Sequence, residues 1–174
     1  MTLRSTLSDI RLDLRRHGAE RGLSMIKALC FNLSFQVVLS YRFHRYLASR
    51  RWLRLALVQI LLARWQTASG NCQISPRSQI GGGLLLPHPL GIVIGQGCLL
   101  GSDVTLYQGV TLGADAAARY PRLNDKVIVY ANSCVVGDIT LGTGATVGAC
   151  SFVNRDVPAG AVAAGVPARL LPSS

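Results

Sequence analysis

A six-residue period dominates the second part of the 174-residue chain and constrains its fold more than any other feature. An aliphatic residue returns at every sixth position, and a second small or aliphatic residue often lies two positions before it. In a strand, residues two apart point to the same face, whereas residues six apart do not share one face of a helix. The period therefore predicts a parallel β-helix of short strands whose paired residues point inward. The sixth-position residues are Ile74, Ile80, Leu86, Ile94, Leu100, Leu106, Leu112, Leu123, Val129, Val135, Leu141, Val147 and Val153.

The period breaks at two places, and each break predicts a loop on the surface of the coil. The repeat step lengthens from six residues to eight across Pro87-His88-Pro89. Further along the chain the step lengthens to eleven, which leaves an inserted loop at residues 113–122. Insertions in repeat proteins map to loops on one face of the coil, which is often the binding face. We therefore expect functional residues at both breaks.

Charge and glycine content divide the chain near residue 70. Residues 1–70 carry 12 of the 18 Lys and Arg residues and 3 of the 8 Asp and Glu residues, a net charge of +9, whereas residues 71–174 carry +1. Glycine follows the opposite distribution, with 3 in the first part and 15 in the second. This composition predicts a basic amphipathic helical region at residues 1–69 and a β-helix domain with a C-terminal cap at residues 70–174.

Apolar spacing predicts the helices of the basic region. A short helix is expected within residues 1–24, and a second apolar run begins beside an arginine cluster and extends from Trp52 to Trp65. Between them, three-and-four spacing predicts one continuous helix. No uninterrupted apolar stretch reaches the length of a membrane span, and no secretory signal peptide is evident. The residues with helical spacing are Ile26, Leu29, Cys30, Leu33, Val37 and Tyr41, and the arginine cluster is Arg50, Arg51 and Arg54.

The basic helices allow several kinds of partner. Basic amphipathic helices suit an anionic membrane surface, so residues 1–66 are expected to contact membrane peripherally. Alternatively, these helices pack on the N-terminal end of the β-helix and join subunits. Nucleic acid is not expected as a partner, because the charge lies on apolar helices without a recognition motif or interleaved exposed aromatic residues.

The 5 cysteines are scattered and form no paired motif. An odd number without paired spacing indicates a reducing compartment, and we expect a cytoplasmic protein. Cys98 occupies an inward position of the repeat, where a thiol acts as a small apolar side chain. No cluster of potential metal ligands is visible, so a metal is not expected.

Together the motifs resemble the hexapeptide-repeat acyltransferases. The resemblance covers about residues 70–171 and rests on the period, the His-bearing break, the run from Tyr107 to Gly113 and the Val166-Pro167-Ala168-Arg169 ending. It is strongest to serine acetyltransferases and to related O-acetyltransferases of exopolysaccharide gene clusters. The resemblance implies a left-handed parallel β-helix, a homotrimer, acetyl-CoA as co-substrate, and active sites in grooves between neighbouring subunits.

The resemblance also implies a site for each step of acetyl transfer. Such transfer needs a base on the acceptor hydroxyl, and histidine is the usual base near neutral pH. His88, in the first break, matches the family's catalytic histidine. The other two histidines, His17 and His44, lie among arginines, where a solvated face is expected. The remaining matched positions are Gln73 as catalytic partner, Arg119 and Tyr120 as acceptor-binding residues, and Gly113, Ala131, Ala149, Arg155 and Arg169 as CoA-binding residues.

Three departures from the family pattern shape the predicted acceptor. Gln73 replaces the carboxylate that pairs with the histidine, Pro87 replaces an aspartate, and Tyr120 replaces a histidine. A glutamine carbonyl can hold one imidazole tautomer but cannot stabilise the imidazolium by charge. The departures favour a sugar hydroxyl of an exopolysaccharide or its precursor as the acceptor. L-Serine is the alternative acceptor, and a non-catalytic β-helix scaffold or binding subunit is the alternative from another class.

Overall fold

The structure is a computed structural model that describes residues 2–19, 22–49 and 56–172. Within these residues, four helices precede a series of short strands. The helices are α1 (Leu3–Arg16), α2 (Leu23–Phe31), α3 (Leu33–Ser49) and α4 (Ala56–Gly70). The strands are β1 (Gln73–Ile74), β2 (Gln79–Ile80), β3 (Val93–Ile94), β4 (Leu99–Leu100), β5 (Thr105–Leu106), β6 (Thr111–Gly113), β7 (Arg122–Leu123), β8 (Ile128–Val129), β9 (Cys134–Val136), β10 (Thr140–Leu141), β11 (Thr146–Val147), β12 (Phe152–Val153), β13 (Val162–Gly165) and β14 (Ala168–Leu170).

The strands wind into a three-faced coil, because each turn contributes one strand to each of three parallel sheets. The first sheet has the order β1-β3-β6-β9-β12, the second β2-β4-β7-β10, and the third β5-β8-β11-β13. Strand β14 pairs antiparallel with β13 and ends the coil as a cap. The predicted parallel β-helix with an N-terminal helical region is confirmed.

Periodic aliphatic residues form the core of this coil. All of the sixth-position residues named above are buried, with relative exposures of 6% or less. Their partners two positions earlier, from Ile92 to Ser151, are buried as well. Burial of each such Val, Leu or Ile side chain contributes about 1.5–3 kcal/mol relative to exposure. The aliphatic period is therefore the main driving force for the coil.

Two of the three corners of the coil carry the residues of interest. The histidine corner joins the third sheet to the first and comprises residues 87–92, 107–110, 130–133 and 148–151. The loop corner joins the first sheet to the second and comprises residues 95–98, 114–121, 137–139 and 154–156. Each break of the six-residue period therefore enlarges one corner without disturbing the sheets.

A buried ion pair joins the helices to the first turn of the coil. The Arg42 guanidinium of α3 donates to both carboxylate oxygens of Asp13 in α1, with N–O distances of 2.9 and 3.0 Å. Arg42 also donates to the carbonyls of Ile80 and Gly81, at 2.6 and 2.7 Å. Burial alone would lower the pKa of Arg42, but the Asp13 carboxylate raises it. Part of the charge in the basic region therefore holds the helices against the coil.

The predicted continuous helix from Ile26 to Tyr41 is wrong. The helix is interrupted at Asn32, where α2 and α3 meet at a bend of 82°. The Asn32 side chain accepts a hydrogen bond from the Phe35 N–H at 3.1 Å, and asparagine at such a position caps the start of a new helix. As a result, Val37 and Tyr41 pack in the core, whereas Ile26 and Phe31 of α2 remain largely exposed.

The remaining predictions for the helices concern the arginine cluster and a membrane span. The arginine cluster of Arg50, Arg51 and Arg54 lies outside the described residues. Among those that are described, no single helix has the length and apolar character to cross a membrane, and the bent pair of α2 and α3 meets that criterion by length and composition only.

Candidate active site

His88 lies exposed in the first bulge of the histidine corner. Its two flanking prolines fix the backbone, and its carbonyl accepts a hydrogen bond from the Leu90 N–H at 2.8 Å. The imidazole is thus presented to solvent from a stiff segment, as a general base for a diffusing substrate requires.

The other two histidines are structural, and the predicted solvated face for them is wrong. One His17 nitrogen lies 2.7 Å from the Asp13 carbonyl and the other lies 2.8 Å from the Ser34 hydroxyl. His44 is 6% exposed, and burial lowers its pKa. His17 is half-buried between helices α1 and α3, and His44 of α3 is buried.

Two tyrosines lie at the histidine corner on the turns of the coil that follow the turn of His88. The ring centroids of His88 and Tyr107 are 6.5 Å apart, and those of Tyr107 and Tyr130 are 4.9 Å apart with nearly parallel planes. Ala131 and Ala149 follow at the same corner in successive turns, where the Cys150 N–H donates to the Ala131 carbonyl at 2.8 Å. His88 and these two alanines therefore share one edge of the coil.

Gln73 begins the first sheet and is exposed. It lines a cavity of ≈ 410 Å³ between the helices and the first sheet, together with His44 and Cys72. The Cys72 thiol donates to the Pro89 carbonyl at 3.1 Å, which brings this strand close to the His88 bulge. Within the described residues, no hydrogen bond joins the Gln73 and His88 side chains.

The inserted loop at the loop corner is held together by Asp115. Its carboxylate accepts from the Ala117 and Arg119 N–H groups at 2.9 and 3.0 Å, and pairs with the Arg119 guanidinium at 2.7 Å. The hydrogen bonds from the Arg119 backbone and side chain lower the pKa of Asp115. A second carboxylate, Asp138, lies 3.8 Å from Arg119. Arg119 thus remains largely exposed, but its charge is already partly compensated.

Tyr120 turns from the loop onto the preceding turn of the coil. A Cβ atom added at Gly95 or at Gly97 would collide with its ring, so the two glycines form the surface that the ring covers. The ring is partly buried against the core. Within one chain, therefore, Tyr120 serves to fix the loop, and Arg119 is the more accessible of the two predicted acceptor-binding residues.

The predicted CoA-binding residues divide between different parts of the coil. Ala131 and Ala149 lie at the histidine corner, whereas Gly113 ends a strand beside the loop corner and Arg155 lies at the loop corner itself. Arg169 lies on β14 and pairs with Ala164 of β13. Both arginines are exposed. The predicted CoA-binding residues therefore do not all lie at one corner of a single chain.

The described residues contain no group of three or more His, Cys, Asp or Glu side chains that could hold a metal ion.

Relatives of known name match most of this chain, although no family model matches it. The serine acetyltransferase of Helicobacter pylori strain J99 is 37% identical over 137 residues, which cover 77% of this chain and 78% of the relative. This chain belongs to the serine acetyltransferase family. A serine acetyltransferase of Synechococcus elongatus is 33% identical over 94% of this chain and 66% of its own length. The chain thus spans 78% and 66% of the length of these two relatives.

Solved structures give the same result. A serine acetyltransferase in complex with CoA matches 97% of this chain and 71% of its own, with a TM-score of 0.83 and 30% identity. The soybean serine acetyltransferase complexed with serine matches 97% of this chain and 68% of its own, with a TM-score of 0.78 and 31% identity. The predicted enzyme class, acyltransferase, is confirmed by membership of this family.

The comparisons correct the predicted acceptor. A sugar hydroxyl of an exopolysaccharide is wrong, because the relatives that match most of the chain carry the name serine acetyltransferase. The departures at Gln73, Pro87 and Tyr120 therefore do not indicate a change of acceptor class.

Proposed function

We propose that this protein is an acetyl-CoA-dependent L-serine O-acetyltransferase. The observation that carries the proposal is the match, over 97% of the chain, to structures of serine acetyltransferases with CoA and with serine. Membership of the family argues against the non-catalytic scaffold, and the exposed His88 at a stiff bulge supplies a base for the reaction.

In the proposed reaction, His88 takes the proton of the serine hydroxyl as the oxygen attacks the thioester carbonyl. The carbon–sulfur bond of the tetrahedral intermediate then breaks, and the proton passes from the imidazolium to the departing thiolate. The products are O-acetylserine and CoA. General base catalysis of this kind contributes typically 10²–10⁴-fold in rate.

Arg119 is proposed to bind the serine carboxylate. Its side chain is 59% exposed, and the Asp115 carboxylate orients the guanidinium at 2.7 Å. A guanidinium has five N–H donors, so this pairing leaves donors for a second carboxylate. Tyr120, whose ring lies on Gly95 and Gly97, is proposed to define the wall of the acceptor site. Gln73, which lines the cavity between the helices and the first sheet, is proposed to be the catalytic partner of the base.

CoA is proposed to lie along Ala131 and Ala149, with Gly113 leaving room for the pantetheine arm and with Arg155 and Arg169 near its phosphates. The first two residues share the histidine corner, whereas Gly113 and Arg155 lie at or beside the loop corner. A groove between two chains would bring one corner of each together. This arrangement supports a homotrimer, and light scattering should give three times the mass of the 18.6-kDa chain.

Thiol release from acetyl-CoA with L-serine tests the proposal. Wild-type protein should release thiol only when serine is present, and His88→Ala should lower kcat by roughly 10²-fold or more because the base is lost. Arg4→Ala is the matched control, since Arg4 is an exposed residue of helix α1, which carries no residue of the proposed site. Failure of the wild type to bind CoA in calorimetry would favour the scaffold and contradict the proposal.

We also propose that the protein is cytoplasmic and contacts membrane peripherally. All five cysteines are free, which fits a reducing cytoplasm. Helix α2 exposes Leu23 and Phe31 at 67% and 84% beside the exposed Lys27, and such a surface suits peripheral contact with anionic membrane. Co-sedimentation with anionic vesicles should fall when Leu23 and Phe31 are changed to serine. Equal sedimentation of wild type and variant would reject the contact.

A further inference from the structure

The imidazole of His88 lacks the polar partner that usually orients a catalytic histidine. Among the described residues, the His88 ring forms no side-chain hydrogen bond, and the aromatic ring beside it is that of Tyr107. The flanking prolines and the hydrogen bond to Leu90 fix the backbone. Only the side-chain torsions of His88 then remain to be restrained.

The Tyr107 ring packs against this imidazole. The two ring centroids are 6.5 Å apart and their planes are inclined by 52°. Aromatic rings attract one another at separations of roughly 4.5–7 Å in tilted or offset arrangements. Tyr107 therefore limits the rotation of the His88 ring on the side that faces the next turn of the coil.

Tyr130 supports Tyr107 from the following turn. The two tyrosine rings stack at 4.9 Å with an interplanar angle of 19°. Their backbones are tied into the coil, since the Tyr107 N–H donates to the Val129 carbonyl at 3.0 Å and the Tyr130 N–H donates to the Val147 carbonyl at 2.9 Å. The three rings thus form a column along one edge of a rigid scaffold.

We propose that Tyr107 is a positioning residue that orients the His88 imidazole for proton transfer, and that Tyr130 braces it. The inference rests on the proposed role of His88 as base. An aromatic column here takes the orienting role that a carboxylate would otherwise have. Because the column acts on ring orientation, its loss should affect kcat, whereas the KM for acetyl-CoA should be unchanged.

Three variants separate this role from general folding. Tyr107→Leu removes the aromatic contact and should lower kcat roughly 10- to 100-fold, since a misplacement of about 1 Å can cost about 10²-fold. Tyr107→Phe keeps the ring and should retain the wild-type kcat, whereas Tyr130→Leu should give a smaller loss than Tyr107→Leu. Phe43→Leu, which removes a 52% exposed ring from α3, is the matched control.

An NMR measurement reads the contact without reference to activity. The ring current of Tyr107 should shift the His88 imidazole protons, and this shift should be lost in Tyr107→Leu and kept in Tyr107→Phe. An unchanged kcat in Tyr107→Leu, or equal losses in the Leu and Phe variants, would overturn the proposal. If wild-type protein does not acetylate serine, the proposed function fails, and the positioning contact is then judged by the shift alone. Its persistence in Tyr107→Leu would overturn the contact too.

Discussion

Replacing Asp13 by asparagine removes one charge from the pair that anchors the helices to the coil. Asp13 and Arg42 are both 0% exposed. The Asp13 Oδ1 atom also accepts from the Gly83 and Leu84 N–H groups at 2.8 and 3.1 Å. Asparagine retains an oxygen for these backbone donors, so the substitution chiefly leaves the buried guanidinium without its counter-charge.

Loss of one partner of a buried ion pair costs about 3–5 kcal/mol, because the remaining charge is desolvated without compensation. Arg42 keeps its bonds to the Ile80 and Gly81 carbonyls and a more distant carboxylate, Asp9, at 3.7 Å. We therefore expect a loss near the lower end, about 3 kcal/mol. With a urea dependence of about 1–3 kcal/mol/M, the midpoint should fall by roughly 1–3 M.

Urea unfolding followed by far-ultraviolet circular dichroism at one protein concentration measures this loss. Asp138→Asn is the control, since its 3.8 Å contact with Arg119 lies on the surface and such pairs contribute about 0–1 kcal/mol. The double variant Asp13→Asn/Arg42→Gln removes both charges but keeps an oxygen for the Gly83 and Leu84 N–H groups and an N–H donor for the coil carbonyls, so it should recover part of the stability. A loss below about 1 kcal/mol for Asp13→Asn would refute the argument that this pair anchors the helices.

Further predictions concern the loop and the thiols. Gly97→Ala should displace the Tyr120 ring and make the loop more susceptible to trypsin after Arg119; unchanged cleavage would contradict this packing. The pKa of Asp115 lies below its usual 3.8, so the loop bonds should persist above that pH and loosen as the pH falls through the lowered value, which amide exchange of the loop can measure. Burial raises the pKa of Cys98 to about 12, so iodoacetamide at pH 8 should label it only after unfolding; mass spectrometry of the native protein should find it unmodified.

The coil could be predicted from the sequence because its determinants are local and periodic. Each turn repeats the same inward pair, so one period specifies the strands, the core and the parallel pairing at once. Both breaks of the period also lie at corners, as the repeat pattern predicts. Ile94 and Leu112 illustrate the rule, since both pack in the core at positions counted from the period alone.

The helical region was harder to predict because its determinants are not local. A single asparagine cap at Asn32 outweighed a favourable helical spacing and bent the chain by 82°. The burial of Arg42 depends on Asp13, which lies 29 residues away, and on carbonyls of the coil. Sequence spacing carries no signal for such a pair, so the sequence left open whether these helices pack on the coil.

Part of the arrangement of the candidate site follows from the sequence. His88 could be found from the break in the period and the flanking prolines. The partnership of Tyr107 with His88 was missed, although both residues fall at successive turns of one corner and the register would have aligned them. Asp115 was also not recognised as the partner of Arg119, although the i, i+4 spacing offered a clue.

The most direct test of the account is mass-spectrometric detection of O-acetylserine after incubation with acetyl-CoA and L-serine. Wild-type protein should form O-acetylserine with one CoA released per product, and His88→Ala should form it far more slowly. Absence of O-acetylserine with the wild type, or equal formation by the two proteins, would contradict the central claim.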